Sequence, residues 1–474
     1  MNTTIRFGTD GWRGIIAQDF TFDNVRACAK AVAEYLKQAK LDKRGLLIGY
    51  DNRFASEDFA AAVAEVVAAN GVKVYLCPHV TPTPVISYGV LAKKAGGAVI
   101  ITASHNPAIW NGFKYKSQDG TSAPSVVTAQ LEKNLARIPG ASRIESLPLP
   151  QALERGIVEH LDLEPLYTRH LTQLIDLEPI RRSKLKVVFD AMYGAGAGYL
   201  QKLLGGGAMQ LVEINGERNP LFPGINPEPI EPNLDKLSAT VKREKAAVGL
   251  ATDGDADRLG VIDEKGNFLT QLQVFALLSL YLLEVRGERG AIVRTLTSTT
   301  MLDRLGELFG VPVYETPVGF KYVAPMMTEN DAIIGGEESG GYGFRGHMPE
   351  RDGLLAGIYF LDLILKTGKT PSQLVDYLYN KVGPHYYHRR DFTFPEEQRR
   401  AITKRITDNM PRALGGVAVK RVDTEDGFRL ILADTSWLFI RFSGTEPVLR
   451  VYAESDSPAR VESLLDEGRK LAGI

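Results

Sequence analysis

Gly97-Ala98-Val99-Ile100-Ile101 runs straight into Thr102-Ala103-Ser104-His105-Asn106-Pro107, and this junction decides how the chain is read. The apolar run has the character of a buried strand. Asn106-Pro107 marks a turn, which puts Ser104 on a loop leaving the strand's carboxyl end. In open α/β sheets that edge is where ligands bind. A serine hydroxyl is a weak nucleophile at neutral pH and needs a base, a metal or prior phosphorylation. Taken alone, Ser104 reads as a turn residue.

Working outward, Leu46–Asp51 and Val72–Leu76 read as two further strands, with a helical pattern over Ser56–Asn70 in which Ser56 stands as the cap. The same order of three strands recurs in Lys186–Asp190, Leu211–Ile214 and Ala247–Leu250, and again in Ala291–Arg294, Val311–Tyr314 and Ala332–Ile334. Strands alternating with helices predict α/β units with parallel pairing. In each unit the third strand enters a polar loop: the Ser104 loop, Thr252–Arg258, and Gly335–Gly341. From Arg389 the spacing changes to close strands with short turns, which predicts a smaller antiparallel α+β domain. The fold class expected is α/β: three similar domains with mixed, mostly parallel sheets, plus a small α+β domain. The boundaries expected are 1–182, 183–287, 288–388 and 389–474.

At 474 residues the chain is too long for one core. Its 44% hydrophobic and 24% charged content is ordinary, and a net charge of -1 opposes electrostatic binding to nucleic acid or membrane. Any anionic ligand must therefore be held by local arginines and backbone amides. Cys28 and Cys77 are too few for a disulfide framework and read as buried thiols in a reducing compartment. The first residues do not read as a secretory signal. The longest apolar stretch, Val274–Leu283, is too short to span a bilayer and suits a buried helix. A cytoplasmic location is the expectation.

Asp253-Gly254-Asp255-Ala256-Asp257-Arg258 places three carboxylates at alternate positions, a donor set for a hard cation such as Mg2+. An EF-hand also begins in this way, with Glu264 at its twelfth position, but Arg258 stands where that loop needs glycine and the flanks read as strands. A solvated acidic turn is the third reading. Gly335-Gly336-Glu337-Glu338-Ser339-Gly340-Gly341 offers carboxylates to vicinal hydroxyls and glycines that let a ring approach, or is a plain glycine turn. Upstream, Gly319-Phe320-Lys321 supplies a cation. Arg441-Phe442-Ser443-Gly444-Thr445-Glu446-Pro447, with Arg450, has the donors of an anion cradle, or is a tight turn between strands. Arg6–Gly14 packs glycines around Arg6 and Arg13, and Lys114 lies just beyond Ser104. Gly194–Gly198 hints at dinucleotide binding, but Tyr199 breaks the fingerprint and leaves a strand-to-helix turn.

Together FGTDGWRG, TASHNP with NGFK after it, DGDADR, GGEESGG and RFSGTEP, in that order over nearly the whole chain, resemble the α-D-phosphohexomutase family of phosphoglucomutases and phosphomannomutases. The resemblance implies four domains around a central cleft and a Mg2+-dependent enzyme whose serine is phosphorylated. Carried over by position, Ser104 is the phosphoserine, and Asp253, Asp255 and Asp257 hold Mg2+ together with the phosphate on Ser104. Arg13, Lys114 and Arg258 then lie at the transferring group, with Lys114 moving a proton. Glu337 and Ser339 hold sugar hydroxyls. Arg441, Ser443, Gly444, Thr445 and Arg450 grip the nonreacting phosphate. Three aspartates and one Mg2+ leave about -1 before a phosphoserine adds roughly -1.5 to -2, so those cations are needed.

Gly340-Gly341 departs from the Gly-His that follows the serine in many mannose/glucose enzymes. His347, in a later segment, and Gly319 with Lys321 resemble the glucose-type members, and His347 is alternatively a surface histidine. The activity expected is interconversion of glucose 1-phosphate and glucose 6-phosphate through glucose 1,6-bisphosphate, by a monomer or homodimer. Mannose or glucosamine phosphate, release of the bisphosphate as product, and a sugar-phosphate-binding regulator are the alternatives.

Overall fold

The computed structural model describes residues 5–8, 10–138, 144–443 and 448–474. Its first sheet runs Trp12–Ile15, Trp110–Lys116, Ala98–Ile101, Leu46–Tyr50, Val74–Leu76 and Val158–His160. Side chains on a strand alternate between faces, and here both faces are apolar. Val99 and Ile101 join Val25, Phe59 and Val63 of the helices Phe22–Gln38 and Ser56–Ala69. Ala98 and Ile100 join Val85, Ile86 and Val90 of the helix Thr83–Lys93. Burial on both sides explains why these strands read as unbroken apolar runs.

The second sheet runs Phe268–Leu269, Leu259–Ile262, Val248–Thr252, Lys186–Asp190 and Gln210–Ile214; the third runs Val313–Thr316, Ile292–Thr295, Ile334–Gly336 and Tyr342–Phe344. All three sheets repeat one four-strand order. The first strand lies between the second and the third, parallel to both, and a fourth returns antiparallel beside the third. The loop singled out in each unit is the one that turns from the third strand into the fourth, so the same structural corner is used three times.

Two local expectations change. Ser56 is the first helical residue rather than the cap; Ala55, at φ 55°, precedes it, and the Ser56 hydroxyl donates to Asp51 Oδ1 at 3.0 Å. The apolar stretch near Val274 forms the helix Gln271–Leu280, capped by Thr270 with Gln273, and continues into a π-helical turn, Tyr281–Val285. No described helix is long and apolar enough to cross a membrane. Cys28 and Cys77 are buried and free.

The fourth sheet is antiparallel: Tyr386–Thr393, Val448–Ser455, Trp437–Phe442, Phe428–Leu432, Val417–Asp423 and Ala413–Leu414. Leu438, Ile440, Leu449 and Val451 face the helices Arg399–Asp408 and Pro458–Ala472. The alternate residues Trp437, Phe439 and Tyr452 face the other way and bury Leu296 of the third unit.

Candidate active site

Ser104 sits at φ 54°, a left-handed conformation that costs a non-glycine residue about 1–2 kcal/mol and needs outside support. Arg53 gives it. This wholly buried guanidinium donates to the carbonyls of Ser104 (2.7 Å), Asn106 (2.6 Å), Pro107 (2.9 Å) and Trp110 (3.0 Å). Asp51 lies 3.2 Å from Arg53 Nε and accepts from Thr102 Oγ1 at 2.6 Å, while Thr102 Oγ1 accepts from the Ser104 amide at 2.8 Å. Held this way, Ser104 Oγ donates to Asp253 Oδ2 at 2.7 Å and lies 3.3 Å from His105 Nδ1.

The Asp253 loop crosses the corner of its own hairpin. Asp253 Oδ1 accepts from the amides of Asp257 (3.0 Å) and Arg258 (3.2 Å). Asp255 Oδ2 accepts from Thr83 Oγ1 (2.6 Å) and Lys114 Nζ (2.7 Å). One carboxylate oxygen from each of the three aspartates falls within 4.8 Å of the others. Asp255 Oδ1 and Asp257 Oδ1 are buried with no hydrogen-bond donor, while Asp257 Oδ2 is met only by the ion pairs with Arg351 and Lys114. Buried acceptors without donors are costly, and an all-oxygen set of this kind fits a hard divalent cation. Burial and the neighbouring Asp255 and Asp257 push the Asp253 carboxyl well above the usual range. Burial also raises Asp257, whereas Lys114 overcomes burial and lowers Asp255. The EF-hand reading is excluded: strands flank the loop, and Glu264 instead accepts from Ser372 Oγ and its amide.

Cations surround this charge. Lys114 Nζ lies 2.7 Å from both Asp10 Oδ2 and Asp255 Oδ2, and 3.5 Å from Asp257 Oδ2. Burial disfavours its charge, but those aspartates raise its pKa, and Lys114 serves here as a donor and counter-charge. Arg13 bonds Asn106 of the serine loop. Arg258 pairs with Glu228 at 3.3 Å and approaches Asp257 at 4.0 Å.

Sequence reasoning passed over several of these groups. Burial, with Arg258, Arg13, Lys114 and Arg53 around it, holds His105 neutral, its pKa well below the usual value. Arg351 Nη2 lies 2.8 Å from Asp10 Oδ2 and 3.0 Å from Asp257 Oδ2, and its Nη1 lies 3.6 Å from Glu337 Oε2. One guanidinium therefore joins the amino-terminal, aspartate and GGEESGG loops. Asp10 and His105 stand inside the FGTDGWRG and TASHNP motifs, and Arg351 in the Arg345–Gly353 segment that carries His347, which is the signal the sequence offers.

In the GGEESGG loop, Glu337 exchanges backbone bonds with Gly340 and Gly341, and Leu259 donates its amide to Gly340 at 2.9 Å. The loop is thus fastened to the outgoing strand of the aspartate hairpin. Burial raises the Glu337 carboxyl. Ser339 is half-buried beside it. Gly319, at φ 129°, precedes the helix Phe320–Glu329, and Lys321 in its first turn lies over the Tyr322 ring at 5.1 Å. His347 is placed elsewhere than expected, neither on the surface nor at the cluster. Its ring has no exposed surface, bonds Asp352 at 2.9 Å, and stacks on Tyr88 and His170. Asp352 caps the helix Gly353–Thr367 and accepts from Tyr167, so the histidine is spent on packing. Among the described residues, neither Lys321 nor His347 bonds a member of the cluster around Ser104.

In the fourth domain Arg441 and Arg450 stand directly opposite on neighbouring strands. Arg441 Nε donates to Asp426 at 2.9 Å, and the buried Ser443 bonds Val448 through its amide. Gly444 and Thr445 lie outside the described residues.

Known proteins match along the chain. Models of phosphoglucomutase/phosphomannomutase α/β/α domains I, II and III match residues 4–140, 165–266 and 271–382, and the model of the C-terminal domain matches 396–471. A phosphoglucomutase/phosphomannomutase of Thermococcus kodakarensis is 31% identical over 98% of both chains. A phosphoglucosamine mutase of Carboxydothermus hydrogenoformans is 31% identical over 97% of both. A solved structure from Thermus thermophilus, provisionally described as a phosphomannomutase, superimposes with a TM-score of 0.86 at 35% identity, covering 99% of each chain. Fold and relatives define an isomerase-class phosphotransferase of carbohydrate metabolism, a phosphohexomutase. The chain belongs to the phosphoglucomutase/phosphomannomutase family of the α-D-phosphohexomutases.

Proposed function

We propose that this phosphohexomutase interconverts glucose 1-phosphate and glucose 6-phosphate, with Ser104 as the phosphorylated residue and Mg2+ held by Asp253, Asp255 and Asp257. The observation that carries the reading is the 2.7 Å bond from Ser104 Oγ to Asp253, beside the Oδ1 atoms of Asp255 and Asp257, which are buried without a donor. Mg2+ bound there supplies positive charge to the oxygens of a phosphoryl group on Ser104. Arg441, Ser443, Gly444, Thr445 and Arg450 grip the phosphate that does not react. Glu337 and Ser339 orient the sugar, and its free hydroxyl faces phosphorylated Ser104.

The hydroxyl oxygen bonds to phosphorus as the bond to Ser104 Oγ breaks. The hydroxyl's proton ends on Ser104 Oγ as the phosphoryl group leaves it. Lys114, Arg13 and Arg258 stabilise the charge on the transferring oxygens, which is where phosphoryl transfer draws its acceleration. Glucose 1,6-bisphosphate then turns over in the cleft and returns its other phosphoryl group to Ser104. The reducing, cytoplasmic setting expected fits the two buried free thiols, and a monomer or homodimer is the assembly proposed.

Glucose is favoured by Gly319-Phe320-Lys321. A second reading, glucosamine phosphate, is favoured by relatives named phosphoglucosamine mutase, and the burial of His347 removes one reason for preferring glucose. Turnover of the 1-phosphates of glucose, mannose and glucosamine, with the matching bisphosphate supplied, separates the readings: glucose is expected to be fastest, and a faster partner replaces it. Intact mass should show an adduct of about 80 Da on the wild type and none on Ser104→Ala. Mutase turnover retained by Ser104→Ala would reject the mechanism.

A further inference from the structure

Glu338, the second carboxylate of GGEESGG, turns away from the cluster that Glu337 joins. Its Oε1 accepts from Tyr387 Oη at 2.8 Å and from Arg389 Nη1 at 3.2 Å, both on the first strand of the fourth domain. Residues two apart share a face of a strand, so Tyr387, Arg389 and Asp391 form one row. Arg389 Nε lies 3.0 Å from Asp391 Oδ1, and Asp391 Oδ2 lies 3.7 Å from Arg450 Nε. Arg450 faces Arg441 across the next strand pair. A row of alternating sign, Glu338, Arg389, Asp391, Arg450, thus runs from the sugar-side loop to the arginines read above as the phosphate grip.

We infer that Glu338 is a positioning residue that couples occupation of the Arg441–Arg450 anion site to the placement of the Glu337–Ser339 loop. The inference rests on the proposed function, since it takes that anion to be the substrate's nonreacting phosphate. A dianion entering between Arg441 and Arg450 competes with Asp391 for Arg450. Asp391 then leans on Arg389, whose hold on Glu338 changes in turn. Each link is partly exposed and individually weak, but the row is continuous, and a change at one end is felt at the other. Two other contacts keep the fourth domain docked without Glu338. Glu454 accepts from the Thr300 amide and hydroxyl and from Trp437, and Glu315 binds Arg294 and Arg429. Removing the Glu338 charge therefore tests coupling rather than attachment.

The test is a double-mutant cycle on the full-length, Mg2+-loaded enzyme, with dissociation constants for glucose 1-phosphate measured by calorimetry; if mannose or glucosamine 1-phosphate is the true substrate, that ligand is used. Because the anion and Glu338 compete through Asp391 and Arg389, Glu338→Gln should tighten binding about three- to fivefold in the wild type and less than about twofold in an Arg450→Gln background. The urea midpoint of Glu338→Gln should be unchanged. Tyr387→Phe, which leaves Glu338 more dependent on Arg389, should have the opposite effect and weaken binding slightly. Equal effects in both backgrounds, or an unchanged or weaker constant for Glu338→Gln, overturn the coupling. A wild type that binds no hexose phosphate overturns the proposed function, and the coupling falls with it.

Discussion

The first three units and the fourth are built into the molecule in different ways. A single apolar cluster runs through all three α/β units, from Leu47 and Ile100 through Val187 and Leu250 to Ile334 and Leu355. Their loops interlock above it: Lys114 on Asp255, Arg351 on Asp10 and Asp257, and Asn52 on the carbonyls of Tyr193 and Gly194. The fourth domain has its own core and meets the others through Leu296, a few aromatic rings, the buried Glu454 and Arg429, and the partly exposed pair of Glu338 and Arg389. Phosphoryl transfer needs atoms held within a fraction of an ångström, and the first region is built for that. On the proposed function, a phosphate gripped in either orientation of the sugar needs tolerance, and a fourth domain with its own core would supply it.

The largest break in this comparison comes from Lys114→Ala. It leaves Asp10 and Asp255 buried without their shared cation, which should cost about 3–5 kcal/mol of stability and lower turnover on the order of 10²–10³-fold. Urea unfolding and kcat measure the two; a variant with wild-type stability means that the interlocked charges are not what holds the loops.

Leu296→Ala should cost roughly 2–4 kcal/mol, but only at the docking of the fourth domain. Calorimetry should then separate a lower transition for that domain from an upper one for the shared core. A single transition shifted as a whole shows one cooperative unit and removes the distinction. Arg441→Ala should weaken monophosphate binding by about 1–3 kcal/mol, roughly 5- to 150-fold, while the adduct on Ser104 still forms. Unchanged affinity takes Arg441 out of the grip.

Much of the rigid region was legible because strands buried on both faces read as apolar runs, and because each third strand ends in chemistry. The returning strands Trp110–Lys116 and Tyr342–Phe344 were not. The first carries Asn111, Lys114 and Lys116, which look like surface residues yet are buried. Their partners are distant in sequence: Lys116 bonds Glu350 at 2.7 Å, and Lys114 bonds Asp255. Propensity and periodicity are local and carry no trace of such pairings. Arg351 escaped for the same reason. His347 stands out through its segment's resemblance to glucose-type members, but a histidine fits equally well in an aromatic stack with one carboxylate, and that is where it lies.

That stack gives the smallest effect. His170 lies on Tyr88 at 4.2 Å between ring centroids and on His347 at 5.0 Å, bridging the first and third units. Burial, and then His347, push its pKa down to about 4. A histidine with a depressed folded pKa contributes stability that is complete above its unfolded value, near 6.5, and is lost as pH falls towards 4, because the unfolded chain takes up the proton first. Asp190, pushed up to about 6 by burial, has the opposite sign between about 6 and 3.8. It is common to wild type and variant and cancels in their difference. His170→Phe keeps a ring in the stack without a titrating group, so the wild type should lose more of its urea midpoint between pH 7 and pH 4.5 than the variant does. An equal or smaller loss in the wild type would mean that the proton does not reach the seam, and that the rigid region owes nothing to a neutral His170.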